Sequence, residues 1–248
     1  MKYIFAILLI INFALSANAS SPDTTITNPH PSVLVIPYMP AMHLSDADVD
    51  ISQGSEMEIP EMRATLRRGI IKELNKDFAE LYNMNAVKSN FVKDDNDDID
   101  ALYHAVAFER DSVYTLKDPA RFAIKDTVPP KKGAPKKPKP EWQYINAKIY
   151  DEGLISELSK KYNTDYFIFL NEMDIKTHSE DCINLAMKIY RRDLKVHYTI
   201  FDRNGKQLYG DVAVSNFDSN SNDVNEIMKK NFPGISAYIL ASLDKVAK

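Results

Sequence analysis

Asn204 and Gly205 stand between two strand-like runs of the sequence, at about 184–202 and 207–214. Apolar and polar residues alternate in the first run, which is the pattern of a half-buried strand. Asparagine and glycine tolerate the positive φ angles that a tight turn requires, so an Asn-Gly pair between strands is a strong hairpin signal. The C-terminal half of the chain is therefore predicted to form an antiparallel β-hairpin.

Two short apolar runs, at 32–38 and 166–170, predict further strands. Both runs are continuously apolar, and both are rich in β-branched or aromatic residues. This length and composition are typical of a strand that is buried on both faces. A weaker strand is predicted near 86–92, and residues 101–126 are interpreted as part helix and part extended chain.

A long helix is predicted over about 57–83, because apolar residues recur there every three or four positions. Ser55 and Glu58 have the spacing of a capping box, so the helix is expected to begin beside them. Residues 39–55 are expected to form a loop. The predicted apolar stripe of the helix comprises Met62, Leu66, Ile70, Leu74, Phe78 and Leu81.

Two more helical patterns lie in the C-terminal half. Asp151 is placed to cap a helix that ends near 163–165. In the final helical region, Pro233 is expected to kink or restart the helix, with Asn231 as a candidate new cap. The inner stripe of the first of these helices is predicted to be Leu154, Ile155, Leu158 and Tyr162.

This order of elements predicts an α/β (α+β) fold, in which a mixed sheet carries a C-terminal antiparallel hairpin and has helices packed on it. Residues 32–248 are expected to form a single domain. A Lys/Pro-rich insertion loop is expected within it, at about 127–141.

The first 19 residues have the pattern of a secretory signal peptide. Lys2 supplies the positive charge, residues 3–15 are apolar, and Ala17-Asn18-Ala19 offers the small residues that a signal peptidase requires. The apolar stretch is shorter than the roughly 20 residues of a spanning helix, which favours cleavage over an uncleaved anchor. We expect a secreted protein whose mature chain has a flexible leader at 20–31 and no transmembrane segment.

The segment 129–140 reads PPKKGAPKKPKP and is expected to project as an extended, polyproline-like loop. One interpretation is a docking element for an anionic partner, and the other is a solvated linker. The single tryptophan follows the segment directly and belongs either to the core or to the contact surface. The predicted partner-binding residues are Lys131, Lys132, Lys136, Lys137, Lys139 and Trp142.

No known catalytic or metal-binding motif is present in the sequence. Asp46, Asp48 and Asp50 begin like a calcium loop, but Ile51 stands at its sixth position and Met57 at its twelfth. The acidic stretches at 94–98 and 218–222 fail in the same way, so all three are expected to be solvated loops or helix caps.

The histidines and the single cysteine also argue against metal and disulfide chemistry. The five histidines lack the spacing of zinc ligands, and His197 is expected to lie on the face of a strand. Cys182 has no second cysteine to pair with, so we expect a buried or unreactive thiol. No cofactor is expected, and the net charge of −4 does not suggest a nucleic acid as partner.

Three segments resemble a known group of proteins. The apolar-Pro-aromatic run at 33–38, the helix and strand at 155–170, and the hairpin at 196–214 resemble the TolB amino-terminal domain and the curli-secretion (CsgG-like) lipoproteins. The sequence departs from that group in lacking a lipid-attachment cysteine after the apolar leader. The region 94–140 has no counterpart there.

The resemblance implies a periplasmic α/β domain that binds other envelope proteins and does not turn over a substrate. Its partner would be an envelope protein or an anionic envelope polymer of the outer-membrane or cell-wall machinery, and an oligomer remains open. The alternative is an exported hydrolase that acts on an envelope polymer. A pocket that joins two carboxylates, or a histidine beside a serine, would favour that alternative.

Overall fold

A sheet of five strands lies at the centre of the computed structural model, which describes residues 31–79, 97–112 and 143–247. The signal peptide, the predicted strand at 86–92 and the Lys/Pro segment with Trp142 lie outside the described residues. The elements in chain order are β1 (Val33–Ile36), β2 (His43–Ser45), α1 (Asp48–Gly54), α2 (Ile59–Phe78), α3 (Asp97–Ala105), β3 (Val106–Ser112), β4 (Gln143–Ile149), α4 (Glu152–Tyr162), β5 (Tyr166–Asn184), β6 (Ile189–Asp202), β7 (Gln207–Asp218) and α5 (Val224–Val246).

The central sheet is mixed, with the strand order β1-β5-β6-β7. Strand β1 pairs parallel to the start of β5, and β2 pairs parallel to the same strand further along. Strands β5, β6 and β7 are antiparallel neighbours. The predicted α+β class, with a mixed sheet and a C-terminal antiparallel hairpin, is therefore confirmed.

Helices α2 and α5 cover one face of this sheet and form the larger of two cores. The predicted stripe of α2 is buried from Met62 to Phe78, as the helical periodicity required. The C-terminal half of α5 adds Ile235, Ile239 and Leu243 to the same core.

The opposite face of the sheet carries a second, smaller core. Strands β3 and β4 form an antiparallel two-stranded ribbon over this face, with α3 and α4 beside it. Phe169 and Phe201 of the sheet meet there edge to face, with ring centroids 5.3 Å apart. Asp151 caps α4 by accepting a hydrogen bond from the backbone N–H of Leu154, as predicted. The described residues thus form three layers, with the sheet in the middle.

The capping box predicted for α2 is wrong. The helix begins at Ile59 without a side-chain cap. Ser55 lies at the end of α1, where its hydroxyl accepts a hydrogen bond from Val224 N–H and donates one to the carbonyl of Asn222. Ser55 therefore ties the end of α1 to the start of α5. The expected loop at 39–55 is also wrong, because it contains β2 and α1.

The predicted restart of the last helix at Pro233 is also wrong, because α5 runs without a break through this residue. Asn231 is buried inside the helix and donates its side-chain amide to the carbonyl of Ile227. Pro233 and Lys229 both lie on the exposed side of α5, where water can bind the carbonyl that proline leaves without a donor.

The hairpin at Asn204-Gly205 is confirmed, but its turn is longer than two residues. Gly205 has a φ of 82°, whereas Asn204 does not have a positive φ. The backbone N–H of Gly205 donates to the carbonyl of Asp202, and the carboxylate of Asp202 accepts from two further N–H groups of the turn. A second turn, at 185–188, separates β5 from β6, so the strand predicted at about 184–202 is confirmed but begins at Ile189.

Candidate functional site

Strand β4 of the ribbon is held against the sheet by hydrogen bonds between its backbone and side chains of the sheet. The N–H of Ile145 donates to Nδ1 of His197 at 3.0 Å, and the N–H of Ala147 donates to Oγ1 of Thr199 at 3.1 Å. The amide of Asn171 donates to the carbonyl of Ile145 at 2.7 Å. We call Asn171, His197 and Thr199 the polar clamp.

Thr199 is the centre of the polar clamp. Its hydroxyl also accepts a hydrogen bond from the amide of Asn171 at 2.7 Å and donates one to Oδ1 of Asn146 at 2.8 Å. Thr199 and Asn171 are fully buried. Because buried polar groups are costly when unpaired, this network fixes the position of β4 over the sheet.

A β-bulge in β5 aims a carboxylate at the same face. Ile168 and Leu170 face the larger core, and so do Met173 and Ile175 after the register shift between Leu170 and Glu172. The bulge therefore places the consecutive side chains of Asn171 and Glu172 toward the ribbon. Bulges commonly re-aim side chains next to functional sites.

A cavity of about 190 Å³ opens beside the polar clamp, between the ribbon and strands β5, β6 and β7. Besides Tyr144, five of the described residues that line it have acidic or basic side chains. The cavity is lined by Arg110, Tyr144, Ile145, Glu172, Asp174, Lys195, His197 and Val212.

Glu172 is the most unusual group of the cavity. The residue is 8% exposed, and no described residue donates a hydrogen bond to its carboxylate. Nε2 of His197 lies 3.7 Å from its Oε1, which is beyond hydrogen-bond distance. Burial raises the pKa of Glu172, and the neighbouring carboxylate of Asp174 raises it further. Burial also raises the pKa of Asp174, against the opposing effect of Lys195.

His197 is held neutral and in one tautomer. Its Nδ1 accepts the N–H of Ile145, so the ring proton lies on Nε2, which faces Glu172. Burial and the positive charges of Lys195 and Arg110 lower the pKa of His197 to about 4. The prediction that His197 lies on the face of a strand is confirmed, and its ring is a hydrogen-bond donor toward the cavity.

A second feature is the hairpin that β5 and β6 form beyond the rest of the sheet. The last β6–β7 pair joins Arg191 to Asp218, so residues 183–187 extend past β7. We call these residues the hairpin tip. Its apolar side chains are strongly exposed, at 47% for Ile183, 82% for Leu185 and 68% for Met187.

The stem below the hairpin tip is anchored by charged groups. His178 contacts two carboxylates, with Nδ1 2.9 Å from Glu180 and Nε2 2.9 Å from Asp193. Hydrogen bonds to these carboxylates raise the pKa of His178. On the other face, the buried guanidinium of Arg192 contacts Asp50 and the side chain of Asn222.

Cys182 is exposed, so of the expected buried or unreactive thiol the buried form is wrong. The residue lies in the hairpin stem next to the tip, where it pairs with Tyr190 of β6 beyond the last β6–β7 pair. Burial of a thiol was expected from residue type, whereas the projection of this hairpin removes the neighbours that would cover it.

The acidic residues 46, 48 and 50 serve the fold. Asp48 is buried between Nε2 of His43, at 3.1 Å, and the guanidinium of Arg63. Burial raises the pKa of Asp48, but the hydrogen bonds from His43 and Arg63 outweigh it and hold the pKa below its usual value. Asp46 accepts from the N–H of Thr177. The expected solvated loop is therefore wrong at Asp48, and no group of three or more metal-ligating side chains occurs in the described parts of the chain.

The predicted partner-binding residues Lys131, Lys132, Lys136, Lys137, Lys139 and Trp142 lie outside the described residues. Sequence reasoning missed Glu172, Asp174 and the hairpin tip. One signal for Glu172 was available, because the apolar alternation of 168 and 170 changes phase at 173 and 175, which indicates a bulge.

No model of a known protein family matches the chain, and a search of curated proteins found no match. Among the described residues, none of the helices has the length and apolar character needed to cross a membrane.

Proposed function

We propose that this chain is an exported, non-enzymatic binding module of the cell envelope, and that the hairpin tip contacts an envelope protein. The observation that carries the proposal is the exposure of Leu185 and Met187 at the end of a projecting hairpin. Exposed apolar clusters on soluble proteins commonly mark sites of interaction. The signal-peptide pattern at 1–19 and the resemblance to TolB amino-terminal and CsgG-like domains support the proposed location.

The hairpin tip is suited to recognition because its stem is held in place. The contacts of His178 and Arg192 fix β5 and β6 just below the tip. A preorganised apolar contact loses little conformational entropy on binding. Burying one Leu or Met side chain contributes about 1.5–3 kcal/mol, so Leu185 and Met187 together supply roughly 3–6 kcal/mol.

The test is affinity capture of the mature chain, residues 20–248, from solubilised envelopes. Wild type is compared with the double variant Leu185→Ser/Met187→Ser and with a chain that lacks 129–140. The matched control is Lys206→Ser, an exposed residue in the turn at the opposite end of β6. We expect one stoichiometric envelope protein that the tip variant loses and the control retains.

The result that would overturn the proposal is equal recovery of the same partner with the tip variant and wild type. A monomeric chain without any partner would have the same meaning. Loss of the partner on deletion of 129–140 would identify the Lys/Pro segment as a second contact. Mass spectrometry of the purified chain should give an N-terminus at Ser20.

The cavity supports a second candidate, an exported hydrolase. Glu172 and Asp174 join in one pocket and both have raised pKa values, which is the arrangement of a carboxylate pair that shares acid and base roles. The proposed binding role is favoured because it accounts for the exposed apolar side chains of the hairpin tip, which a hydrolase acting in this cavity does not use. Release of soluble fragments from purified cell wall by wild type, but not by Glu172→Gln, would instead establish the hydrolase.

A further inference from the structure

We propose that the cavity beside the polar clamp binds a small zwitterion of amino-acid size, with its ammonium group at Glu172 and Asp174 and its carboxylate at Arg110 and Lys195. This inference does not depend on the proposed function, because the cavity and the hairpin tip involve different residues. Three observations lead to it, namely a largely buried carboxylate that accepts no hydrogen bond from a described residue, a balance of charges and a small volume.

The first observation is the state of Glu172. Its residue is more than nine-tenths buried, it lines the cavity, and no described residue donates a hydrogen bond to its carboxylate. Its side chain keeps 11% exposure and is reached from the cavity. A largely buried carboxylate without protein donors is costly, and a ligand in the cavity can supply the missing partner. An ammonium group satisfies it best, since it supplies both positive charge and hydrogen-bond donors.

The second observation is the sign of the surrounding charges. Two carboxylates face two cations, Arg110 and Lys195, and His197 is neutral. The positive charge of Arg110 lowers the pKa of both Glu172 and His197, and that of Lys195 lowers the pKa of both Asp174 and His197. The four charged groups are therefore close enough to interact with one another. Lys195 Nζ also lies 3.6 Å from Asp193, a carboxylate outside the cavity lining. A zwitterion offers a charge of each sign to the groups of the cavity, whereas a simple cation or a simple anion offers only one.

The third observation is the size of the cavity. Its volume of about 190 Å³ is below the roughly 300–1,000 Å³ of sites for drug-sized ligands. At about 30 Å³ per water molecule, it holds on the order of six waters. A ligand of about six to ten non-hydrogen atoms fits this space, which is the size of a small amino acid.

An apolar residue lies on each side of the charged pair formed by Asp174 and Lys195. In the sheet register, Leu44 pairs with Asp174, Asp174 with Lys195, and Lys195 with Val214, so the four side chains form one row on the ribbon side. Leu44 and Val214 are both exposed and flank the charged pair. Such a border suits a ligand whose side chain is small and apolar, for which alanine is the simplest probe.

The experiment is isothermal titration calorimetry of the mature chain with alanine in its L and D forms, glycine, propanoate and ethylamine. The last two lack the ammonium and the carboxylate, respectively. We expect an amino acid to bind at least about tenfold more tightly than both analogues, which corresponds to about 1.4 kcal/mol. If ethylamine binds as tightly as alanine, the part of the proposal that places the ligand carboxylate at Arg110 and Lys195 is overturned.

The variants are Glu172→Gln and Arg110→Gln, with Glu109→Gln as the matched control. Glu109 precedes Arg110 on β3 and contacts Lys148 outside the cavity. We expect each cavity variant to weaken alanine binding at least about tenfold and the control to leave it unchanged. Unfolding curves of all three variants establish that the chains are folded. Equal binding by folded Glu172→Gln, or no binding of any probe up to about 10 mM, would overturn the proposal.

Discussion

Replacing Thr199 by valine tests the polar clamp that positions the ribbon and the cavity. Valine keeps the shape of the threonine side chain and removes its hydroxyl. The backbone N–H of Ala147 then loses its acceptor, Asn171 loses one of its two hydrogen bonds, and Oδ1 of Asn146 loses its donor. All three groups are buried, and water cannot replace the lost bonds without opening the ribbon.

The size of the effect follows from the number of groups. A buried donor or acceptor left unpaired costs about 1–3 kcal/mol. Taking about 1 kcal/mol for each of the three groups, because the site relaxes in part, the free energy of unfolding should fall by about 3 kcal/mol. In a protein of this size each kcal/mol lowers Tm by roughly 2–4 °C, so we expect a decrease of about 6–12 °C.

The assay is thermal and urea unfolding of wild type, Thr199→Val and Thr199→Ser. Serine keeps the hydroxyl and loses one methyl group, so it should be clearly more stable than the valine variant. The control is Thr65→Val, since the hydroxyl of Thr65 accepts a hydrogen bond from the exposed side chain of Arg68, at 3.4 Å, and no other hydrogen bond of this hydroxyl occurs among the described residues. A Thr199→Val variant within about 0.5 kcal/mol of wild type, the range of neutral surface changes, would refute the reasoning.

Three further predictions concern the titratable groups. Glu172→Gln should raise the free energy of unfolding at pH 7 by about 1 kcal/mol, because it removes a largely buried charge that accepts no hydrogen bond from a described residue, whereas Glu109→Gln should not. Chemical unfolding measures both, and a destabilised Glu172→Gln contradicts the reasoning. The pKa of His197 is lowered to about 4 in the folded chain, so the free energy of unfolding should fall by about 3 kcal/mol as the pH falls from 6.5 to about 4. Nitrogen NMR should show Nε2 protonated and the ring neutral at pH 6, and a charged ring at pH 6 contradicts this prediction. The pKa of His178 is raised in the folded chain, so its contribution to the free energy of unfolding is present at low pH and is lost as the pH rises through the folded pKa. Amide exchange in the hairpin stem should therefore become faster from pH 6 to pH 8, after correction for intrinsic rates, and His178→Gln should remove that change.

Features that depend on local periodicity were predictable from the sequence. The apolar stripe of α2 repeats every three or four residues, and its burial follows from helix geometry. The cap at Asp151 and the hairpin at Gly205 depend on the conformational preferences of single residues. The α+β class follows from these elements together.

Features that depend on contacts between distant residues were not predictable. Ser55 has the right spacing for a cap, but its hydroxyl is used by Val224, which is 169 positions away. The helix around Pro233 continues because packing on the sheet outweighs the loss of one hydrogen bond on its exposed side.

The candidate site shows the same limit. The hydrogen bond from Ile145 to His197 joins residues 52 positions apart, and no local pattern specifies it. Only the phase change in the alternation around Glu172 indicated that β5 turns a carboxylate toward the ribbon. Leu185 is exposed because β5 and β6 extend beyond the end of β7. This extension depends on the relative lengths of the three strands.

The most direct test of the proposed binding role is site-specific photocrosslinking in intact cells. A photoreactive amino acid is placed at Leu185 in the hairpin tip, or at the exposed Lys206 as the control. We predict one discrete crosslinked product with an envelope protein from position 185 and none from position 206. An uncrosslinked chain at position 185, or the same products from both positions, would contradict the account.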